Sequence, residues 1–255
     1  MASTKKPTAV DRRLSMAAEN YLLSIFQLRE QGHSVTPSQL ADQLKQLPLG
    51  EGLGTSLPSV SGMLRRLNRE GLITLNKAKE IELTEVGQAE AETMVRRHRL
   101  AELLVVDVLG VELSKSHEEA HRLEHAISPE LESKIREKLG NPGKSPFGDP
   151  IPGSGYTVPE DSFLLSDALA GDTIEIDRIP EDDRALLEYL IPRDIVPGSS
   201  ASVLETAVHI GIIKLNAQGE EVILGHKVGE RISVSYTHLR AHETEADLVC
   251  RLLLE

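Results

Sequence analysis

Apolar residues in the first part of the chain recur with the spacing of amphipathic helices. From Leu14 to Leu28 they fall three and four positions apart, which places them on one helical face. Thr36-Pro37 then supplies an N-cap and a first-turn proline for a short second helix. The run PSVSGMLRRLNREG predicts a third helix, and alternating runs around Asn76 predict a β-hairpin. Three short helices followed by a hairpin is the order of a winged helix-turn-helix domain.

The predicted third helix carries side chains suited to the major groove of DNA. Val60, Leu64 and Leu67 face inward at helical spacing, so hydroxyl and basic side chains remain on the outer face. Guanidinium groups pair with phosphates, and small hydroxyls reach base edges. A solvated arginine face is the alternative, but the place of this helix in the predicted order favours DNA binding. The outward residues are Ser59, Ser61, Arg65, Arg66 and Arg69.

Residues 84–139 return to a helical pattern. The stretch 100–111 is almost continuously apolar, which does not suit a helix facing water, so we expect a second subunit to cover it. Residues 141–160 are dense in Pro and Gly and predict a linker or an extended proline-rich segment. Alternating segments between residues 163 and 234, interrupted by one helix, predict a small antiparallel barrel.

Charge is distributed unevenly, and this changes what the net charge of −12 implies. Residues 1–100 hold 14 Lys and Arg against 11 Asp and Glu, whereas residues 101–255 hold 14 against 29. A locally basic part joined to an acidic remainder fits a protein that touches nucleic acid through one module. The 255 residues contain neither an apolar stretch of membrane-spanning length nor a secretory leader, so we expect a cytoplasmic protein without a membrane partner.

Histidines and carboxylates are spaced for metal binding. Two sets recur at helical offsets, so each set occupies one helical face. Cys250 is the single cysteine, which excludes a cysteine-rich zinc module. Nitrogen and oxygen donors without thiolate suit Mn(II) or Fe(II). Weak surface pairs are the alternative, but two matched stripes favour a metal site. The sets are His98 with Glu102, and His117 with His121, Glu124 and His125.

The chain resembles metal-dependent transcriptional repressors of the diphtheria-toxin-repressor and manganese-transport-regulator type over about residues 14 to 234. The motifs that carry the resemblance are AENYLLSIFQL, PSVSGMLRRLNREGLI, RRHRLAELLVVDVLGV, HEEAHRLEHAISPE and SPFGDPIPG. It implies a mainly helical N-terminal part, with a winged helix-turn-helix and a helical dimerisation domain that carries metal. It also implies a small all-β SH3-like C-terminal barrel of the FeoA type and a homodimer.

The resemblance implies two metal sites. Asn20 stands where known members often have Met or Asp, so its amide oxygen would bind a cation without charge. His121 stands where they have Cys or Glu, so the metal preference of neither subgroup carries over. Glu181 is the candidate ligand from the barrel. The implied ligands are His98, Glu102 and His117 in one site, and Asn20, His121, Glu124 and His125 in the other.

The resemblance also implies the route from metal to double-stranded operator DNA. Ser56 and Pro58 join the outward residues of the third helix at or near base edges. The loop from Leu47 to Thr55 is longer than the family's tight turn, which is expected to alter the approach of that helix. Metal that bridges the first helix to residues 117–125 would fix the spacing of two winged domains, so metal and DNA bind with positive coupling.

The leading interpretation is therefore a repressor that senses Mn(II) or Fe(II) and controls metal-homeostasis genes, and not an enzyme. A metalloenzyme built on the same histidines is the alternative, and it would need an open coordination position beside a general base. An adaptor whose SH3-like domain binds a proline-rich partner is a third reading, with SPFGDPIP as an intramolecular ligand.

Five segments are expected along the chain. The last, SYTHLRAHETEADLVCRLLLE, resembles translated sequencing-adapter read-through and is expected to be non-native; a genuine amphipathic terminal helix is the alternative. The expected segments are a DNA-binding domain at 10–88, a metal-binding and dimerisation domain at 89–140, a linker at 141–160, an SH3-like domain at 161–234 and the tail at 235–255.

Overall fold

The computed structural model describes residues 14–32, 34–47 and 53–237. They divide into two compact units. One contains the chain up to Ser145 together with Pro150–Tyr156, and the other contains Pro146–Asp149 and the chain from Thr157 onward. Much of the loop expected at 47–55, and the tail from residue 238, lie outside the described residues.

The first unit begins with the predicted helices and hairpin. Ser15 caps the first helix, and Thr36 with Gln39 forms a capping box at the start of the second. Tyr21, Leu40 and Leu64, one from each helix, are buried in a shared core. This confirms the predicted winged helix-turn-helix. Its elements are α1 (Met16–Glu30), α2 (Pro37–Leu44), α3 (Leu57–Arg69), β1 (Ile73–Leu75) and β2 (Ile81–Leu83), with β1 antiparallel to β2.

Three further helices complete the first unit. They are α4 (Glu85–Leu103), α5 (Leu113–Glu124) and α6 (Pro129–Lys138), with a π-helical turn at Leu104–Val108 after α4. Arg99 on α4 is buried and donates to the Glu30 carboxylate at the end of α1 and to the backbone carbonyl of Pro150. The arginine thereby ties α1 and α4 to the segment that follows residue 150.

The apolar stretch 100–111 was expected to be covered by a second subunit, but most of it is covered within this chain. Leu100, Ala101 and Val105 are buried by other residues of the same chain, so no second subunit is needed to cover them. Val108 and Leu109, at the end of the stretch, are 47% and 64% exposed. These two are the most exposed apolar residues of the run, because the chain buries most of the earlier apolar positions against α5 and α6.

The second unit is a six-stranded antiparallel sheet within the described residues, and its strands lie in the order β3 (Phe163–Leu164), β8 (Ser233–Tyr236), β4 (Thr173–Arg178), β5 (Ser200–Ala207), β6 (Ile212–Ala217) and β7 (Glu220–Gly225). This confirms the all-β character predicted for this part of the chain. The short helices α7 (Arg184–Leu190) and α8 (His226–Gly229) lie between strands in sequence.

The proline-rich stretch between the helices and the sheet is packed. Phe147 is fully buried, and its carbonyl accepts a hydrogen bond of 3.0 Å from the Ile179 backbone after β4. Ile151, four residues on, is buried in the helical core instead. The predicted linker is thus divided between the two units. At the other end of the sheet, β8 continues to Tyr236, past residue 234 where the native chain was expected to end.

No helix among the described residues combines the length and the hydropathy that crossing a membrane would require.

Candidate metal centre

The predicted ligands of α4 and α5 face one another in the first unit. His98 and Glu102 lie one turn apart on α4, and their facing partners belong to α5. His98, Glu102, His121 and Glu124 are each no more than 1% exposed. Burial of so many ionisable groups is costly unless they are paired or hold a cation, so this is not a set of ordinary surface pairs.

Glu102 forms one side of the cluster. Its Oε1 lies 3.1 Å from His98 Nε2 and 3.2 Å from His117 Nδ1, and those two ring nitrogens are 3.2 Å apart. Two imidazoles from different helices therefore share one carboxylate oxygen. The structure brings together the three residues expected in the first site.

Glu124 links the two expected sites. Its Oε2 lies 2.6 Å from His98 Nδ1, while its Oε1 lies 3.2 Å from His121 Nδ1 and 3.4 Å from His125 Nε2. The ligands predicted for separate sites thus form one continuous network, which the helical offsets alone did not indicate.

The buried charges shift one another's titration. Burial lowers the pKa of His98, but the carboxylates of Glu102 and Glu124 outweigh burial and hold that pKa well above its ordinary value. Burial raises the pKa of both carboxyls, but the neighbouring histidines, His98 foremost, bring each to about 2. Burial lowers the pKa of His121 to about 4, so this imidazole is neutral at pH 7.

Two polar atoms of the cluster are buried without a hydrogen-bond partner among the described residues. They are Glu102 Oε2 and His121 Nε2. Unsatisfied buried acceptors are rare because they cost the full desolvation penalty. A carboxylate oxygen and an imidazole nitrogen are also the atoms that a divalent transition metal binds. The donor set therefore fits such a cation.

The first helix reaches the same region through His125. Asn20 is buried, and its Oδ1 lies 3.2 Å from His125 Nε2. On the other side of the ring, Glu19 Oε2 lies 2.7 Å from His125 Nδ1. The Glu19 carboxylate thereby orients the ring so that Nε2 is directed toward Asn20 and Glu124.

Glu19 was not among the residues predicted from the sequence. The resemblance pointed to Asn20 instead, because that position matches a ligand of the family. The signal available was the negative charge of Glu19 in the first turn of α1, one residue before Asn20. Glu181, the ligand predicted from the barrel, belongs to the second unit, where it follows β4 and is half-buried.

The predicted DNA-binding residues lie on and before α3. Ser56 caps the helix by accepting from the Ser59 backbone, at 3.4 Å. Arg66 Nε donates to Glu70 Oε1 at 2.8 Å, so one arginine of the set is partly neutralised. Ser61 is half-buried, and the remaining members are exposed. The exposed members are Ser56, Pro58, Ser59, Arg65, Arg66 and Arg69.

The hairpin adds two cations that the sequence prediction did not include. Asn76 Oδ1 accepts from the backbones of Ala78 and Glu80, which holds the turn between β1 and β2. Lys77 and Lys79 are exposed at its tip. Together with the arginines of α3, they give this part of the first unit a basic surface.

Comparisons with known proteins agree with this arrangement. Three family models match: the iron dependent repressor N-terminal DNA binding domain over residues 13–81, the iron dependent repressor metal binding and dimerisation domain over 84–153, and the FeoA domain over 163–236. The iron-dependent repressor IdeR of Mycobacterium tuberculosis (strain ATCC 25618 / H37Rv) is 32% identical over 229 residues, covering 85% of this chain and 95% of that protein.

Two further comparisons each cover most of this chain and most of the protein that it matches. The diphtheria toxin repressor of Corynebacterium diphtheriae is 30% identical over 221 residues, covering 81% of this chain and 91% of that protein. The solved structure of a manganese-dependent transcriptional repressor complex with manganese has a TM-score of 0.76 and 33% identity, covering 86% of this chain and 99% of that one.

Proposed function

This chain belongs to the iron-dependent repressor family, and we propose that metal held by its buried histidines and glutamates controls its binding to operator DNA. Its relatives are DNA-binding repressors, so the chain is a metal-dependent transcriptional repressor and not an enzyme. Double-stranded operator DNA and a second copy of the chain are its partners. Iron(II) or manganese(II) is the regulating metal. The metalloenzyme alternative receives no support.

The proposed ligands follow the network between α4, α5 and α1. His98, Glu102 and His117 hold one cation, and Glu124 with His125 and Asn20 holds another, with His121 between the two groups. When bound, a divalent cation supplies positive charge to the buried carboxylates. Without a cation, those carboxylates face positive charge only from the histidines. The atoms left without a partner, on Glu102 and His121, support this assignment. Glu181 is proposed as a further ligand from the second unit.

Coupling to DNA follows from where the ligands sit. Asn20 lies on α1, whose buried face also forms the core of the winged-helix fold, whereas His125 directly follows α5. Ligands on both elements fix α1 to α5 when they share a cation. We propose that Glu19 assists by holding the His125 ring, at 2.7 Å. The position of α3 is then set in each copy of the dimer, so metal and DNA bind with positive coupling.

The proposed DNA interface is α3 with the turn before it. Arg65, Arg66 and Arg69 would pair with phosphates, while small residues at the start of the helix lie near base edges. Those small residues are Ser56, Pro58, Ser59 and Ser61. In the division of labour that we propose, residues 10–88 bind DNA, 89–140 bind metal and dimerise, and 161–234 form the SH3-like domain. The packed stretch 141–160 stands between the last two in sequence. Because operator DNA is the target, we place the protein in the cytoplasm.

The experiment is fluorescence anisotropy of the full chain on DNA from the region upstream of its own gene, at fixed salt. We expect tight binding with Mn(II) or with Fe(II) under anaerobic conditions, and loss of binding with chelator. Arg65→Ala should weaken binding and reduce the slope of log affinity against log salt by about one. Lys134→Ala, an exposed change on α6, should do neither. Binding that chelator leaves unchanged would overturn the proposed control by metal.

A further inference from the structure

The turn that precedes α3 is attached to the core of the winged-helix fold at two points. Leu53, where the structure resumes its description of this turn, packs against the buried apolar cluster that α1 and α3 share. Tyr21 on α1 is 2% exposed, and its hydroxyl donates to the backbone carbonyl of Gly54 at 3.4 Å. The turn is therefore held by an apolar contact and by a polar contact from a helix 33 residues earlier in the chain.

The hydroxyl of Tyr21 has a role that its ring does not have. The ring fills space in the core, and the ring of phenylalanine would fill the same space. A buried tyrosine hydroxyl needs a hydrogen-bond partner, and the Gly54 carbonyl is the acceptor that this one reaches. Burial raises the pKa of Tyr21 to about 12, so the hydroxyl keeps its proton at neutral pH and remains a donor.

Gly54 lies directly against the first turn of α3. A Cβ at this position would be 2.6 Å from Ser59 Cβ and 2.8 Å from Ser59 Oγ, which is closer than two such atoms can approach. The place of a Cβ is fixed by the backbone, so a side chain at residue 54 would displace either the turn or the helix. Ser59 is in turn joined to the helix cap, because its hydroxyl lies 2.9 Å from Ser56 Oγ.

We propose that Tyr21 and Gly54 are positioning residues that set the start of α3 and thereby determine how well the protein distinguishes its operator from other DNA. The inference rests on the proposed function in that it takes α3 to be the recognition helix. It goes further by assigning this role to two residues outside the proposed DNA interface, on α1 and in the turn.

The effect is expected on sequence discrimination because of where each kind of contact lies on α3. Residues at the start of a recognition helix contact base edges, whereas basic side chains pair with phosphates and carry no sequence information. Ser56 and Ser59 are at the start of α3, and the arginines follow one to three turns later. Displacement of the start therefore weakens base contacts more than phosphate contacts.

The DNA test compares full-length wild type with Gly54→Ala and Tyr21→Phe, in Mn(II) and at fixed salt. One duplex comes from the region upstream of the gene, and a second duplex of equal length has the same bases in shuffled order. We expect the ratio of the two affinities to fall about tenfold in Gly54→Ala and about threefold in Tyr21→Phe. A variant that had merely lost stability would bind both duplexes less well and keep the ratio unchanged.

Each variant has a matched control in the second unit. Tyr189→Phe removes a hydroxyl that donates to the backbone carbonyl of Ile223 at 2.9 Å. Gly225→Ala adds a Cβ at a position where it would meet nothing within 4 Å. Both controls should keep the wild-type ratio. Thermal unfolding shows which variants fold, and Tyr21→Phe, which retains the ring in the core, tests the inference if Gly54→Ala does not fold.

Hydrogen exchange without DNA supplies a second readout. Peptides from residues 53–61 should exchange faster in Gly54→Ala and Tyr21→Phe than in wild type, while peptides from α4 and α5 should not change. If wild type prefers its operator, an unchanged affinity ratio in a folded Tyr21→Phe would overturn the inference and leave the proposed function intact. If wild type shows no such preference, the proposed function fails; exchange at 53–61 then decides the positioning role, which faster exchange would uphold and unchanged exchange would overturn.

Discussion

His98 is the residue on which the charge balance of the metal centre depends. It lies between two carboxylates, with Glu124 Oε2 at Nδ1 and Glu102 Oε1 at Nε2. Those carboxylates raise its pKa well above the ordinary value of 6.5 despite its burial. The imidazolium therefore stabilises the fold fully below pH 6.5, and that contribution is lost as the pH rises through the raised pKa.

Metal binding at pH 7 is expected to release a proton from His98. A metal ligand must be the neutral imidazole, whereas the neighbouring carboxyls, with pKa values of about 2, are already ionised and release nothing. Affinity for metal should accordingly rise with pH up to the pKa of His98. Titration calorimetry in buffers of different ionisation enthalpy measures the release, with His98→Gln as the comparison. Binding heats that do not depend on the buffer in wild type would contradict this expectation.

At the scale of elements, the join between the hairpin and α4 is tightly packed. Gly87 lies in the first turn of α4, and a Cβ there would be 1.8 Å from the backbone oxygen of Leu72. That oxygen already accepts hydrogen bonds from the backbone and hydroxyl of Thr84, the cap of α4. The oxygen cannot move away without breaking the hydrogen bonds that it accepts from Thr84. Gly62 on α3 differs, since a Cβ there would meet nothing within 4 Å.

These two glycines provide a matched pair of substitutions. Gly87→Ala should reduce the free energy of unfolding by at least about 2 kcal/mol, because overlap with backbone forces the helix to shift. Gly62→Ala should increase it by about 0.5 to 1 kcal/mol, because alanine is the better helix former and no atom obstructs it. Urea unfolding without metal or DNA measures both. Equal effects of the two substitutions would show that packing at Leu72 does not limit this join.

In the molecule as a whole, the chain crosses between the first unit and the second more than once. Pro146–Asp149 belongs to the sheet unit, and Pro150–Tyr156 returns to the helical unit. Phe147 and Ile151 are buried in different units although they are four residues apart. The proline-rich stretch therefore contributes side chains to each unit, which an exposed tether would not do.

Phe147→Ala is expected to destabilise the second unit selectively, by about 3 to 5 kcal/mol, because a large buried ring is removed. Hydrogen exchange followed by mass spectrometry resolves the two units. Peptides from β4 to β6 should lose protection, while those from α1, α4 and α5 should keep it. Val158→Ala, an exposed position in the same stretch, serves as the control and should leave all peptides unchanged. Equal loss of protection in α4 and β4 would show that the units unfold together.

Local sequence patterns are enough to predict the helices, the hairpin and the kinds of side chain that they carry. Apolar periodicity, the Thr36 capping box and the hairpin turn at Asn76 are local properties, so three helices and a wing could be predicted from neighbouring residues. The helical offsets of the histidines and glutamates predicted the metal-ligand residues, and the sequence motifs predicted the family. Residue spacing could place His98 with Glu102 and His117 with His121, because four residues make about one helical turn.

Which atoms of different elements meet depends on how those elements pack in the folded chain. His121 shares α5 with Glu124 and His117, and packing of α5 against α4 brings its ring to 4.6 Å from that of His98. Glu19 reaches His125 across more than a hundred residues, a contact that no local pattern encodes. The division of residues 146–156 between the two units likewise depends on which core has room for each apolar side chain. Such contacts are set by the packing of elements distant in sequence, so the ligand network, unlike its residues, could be seen only in the folded chain.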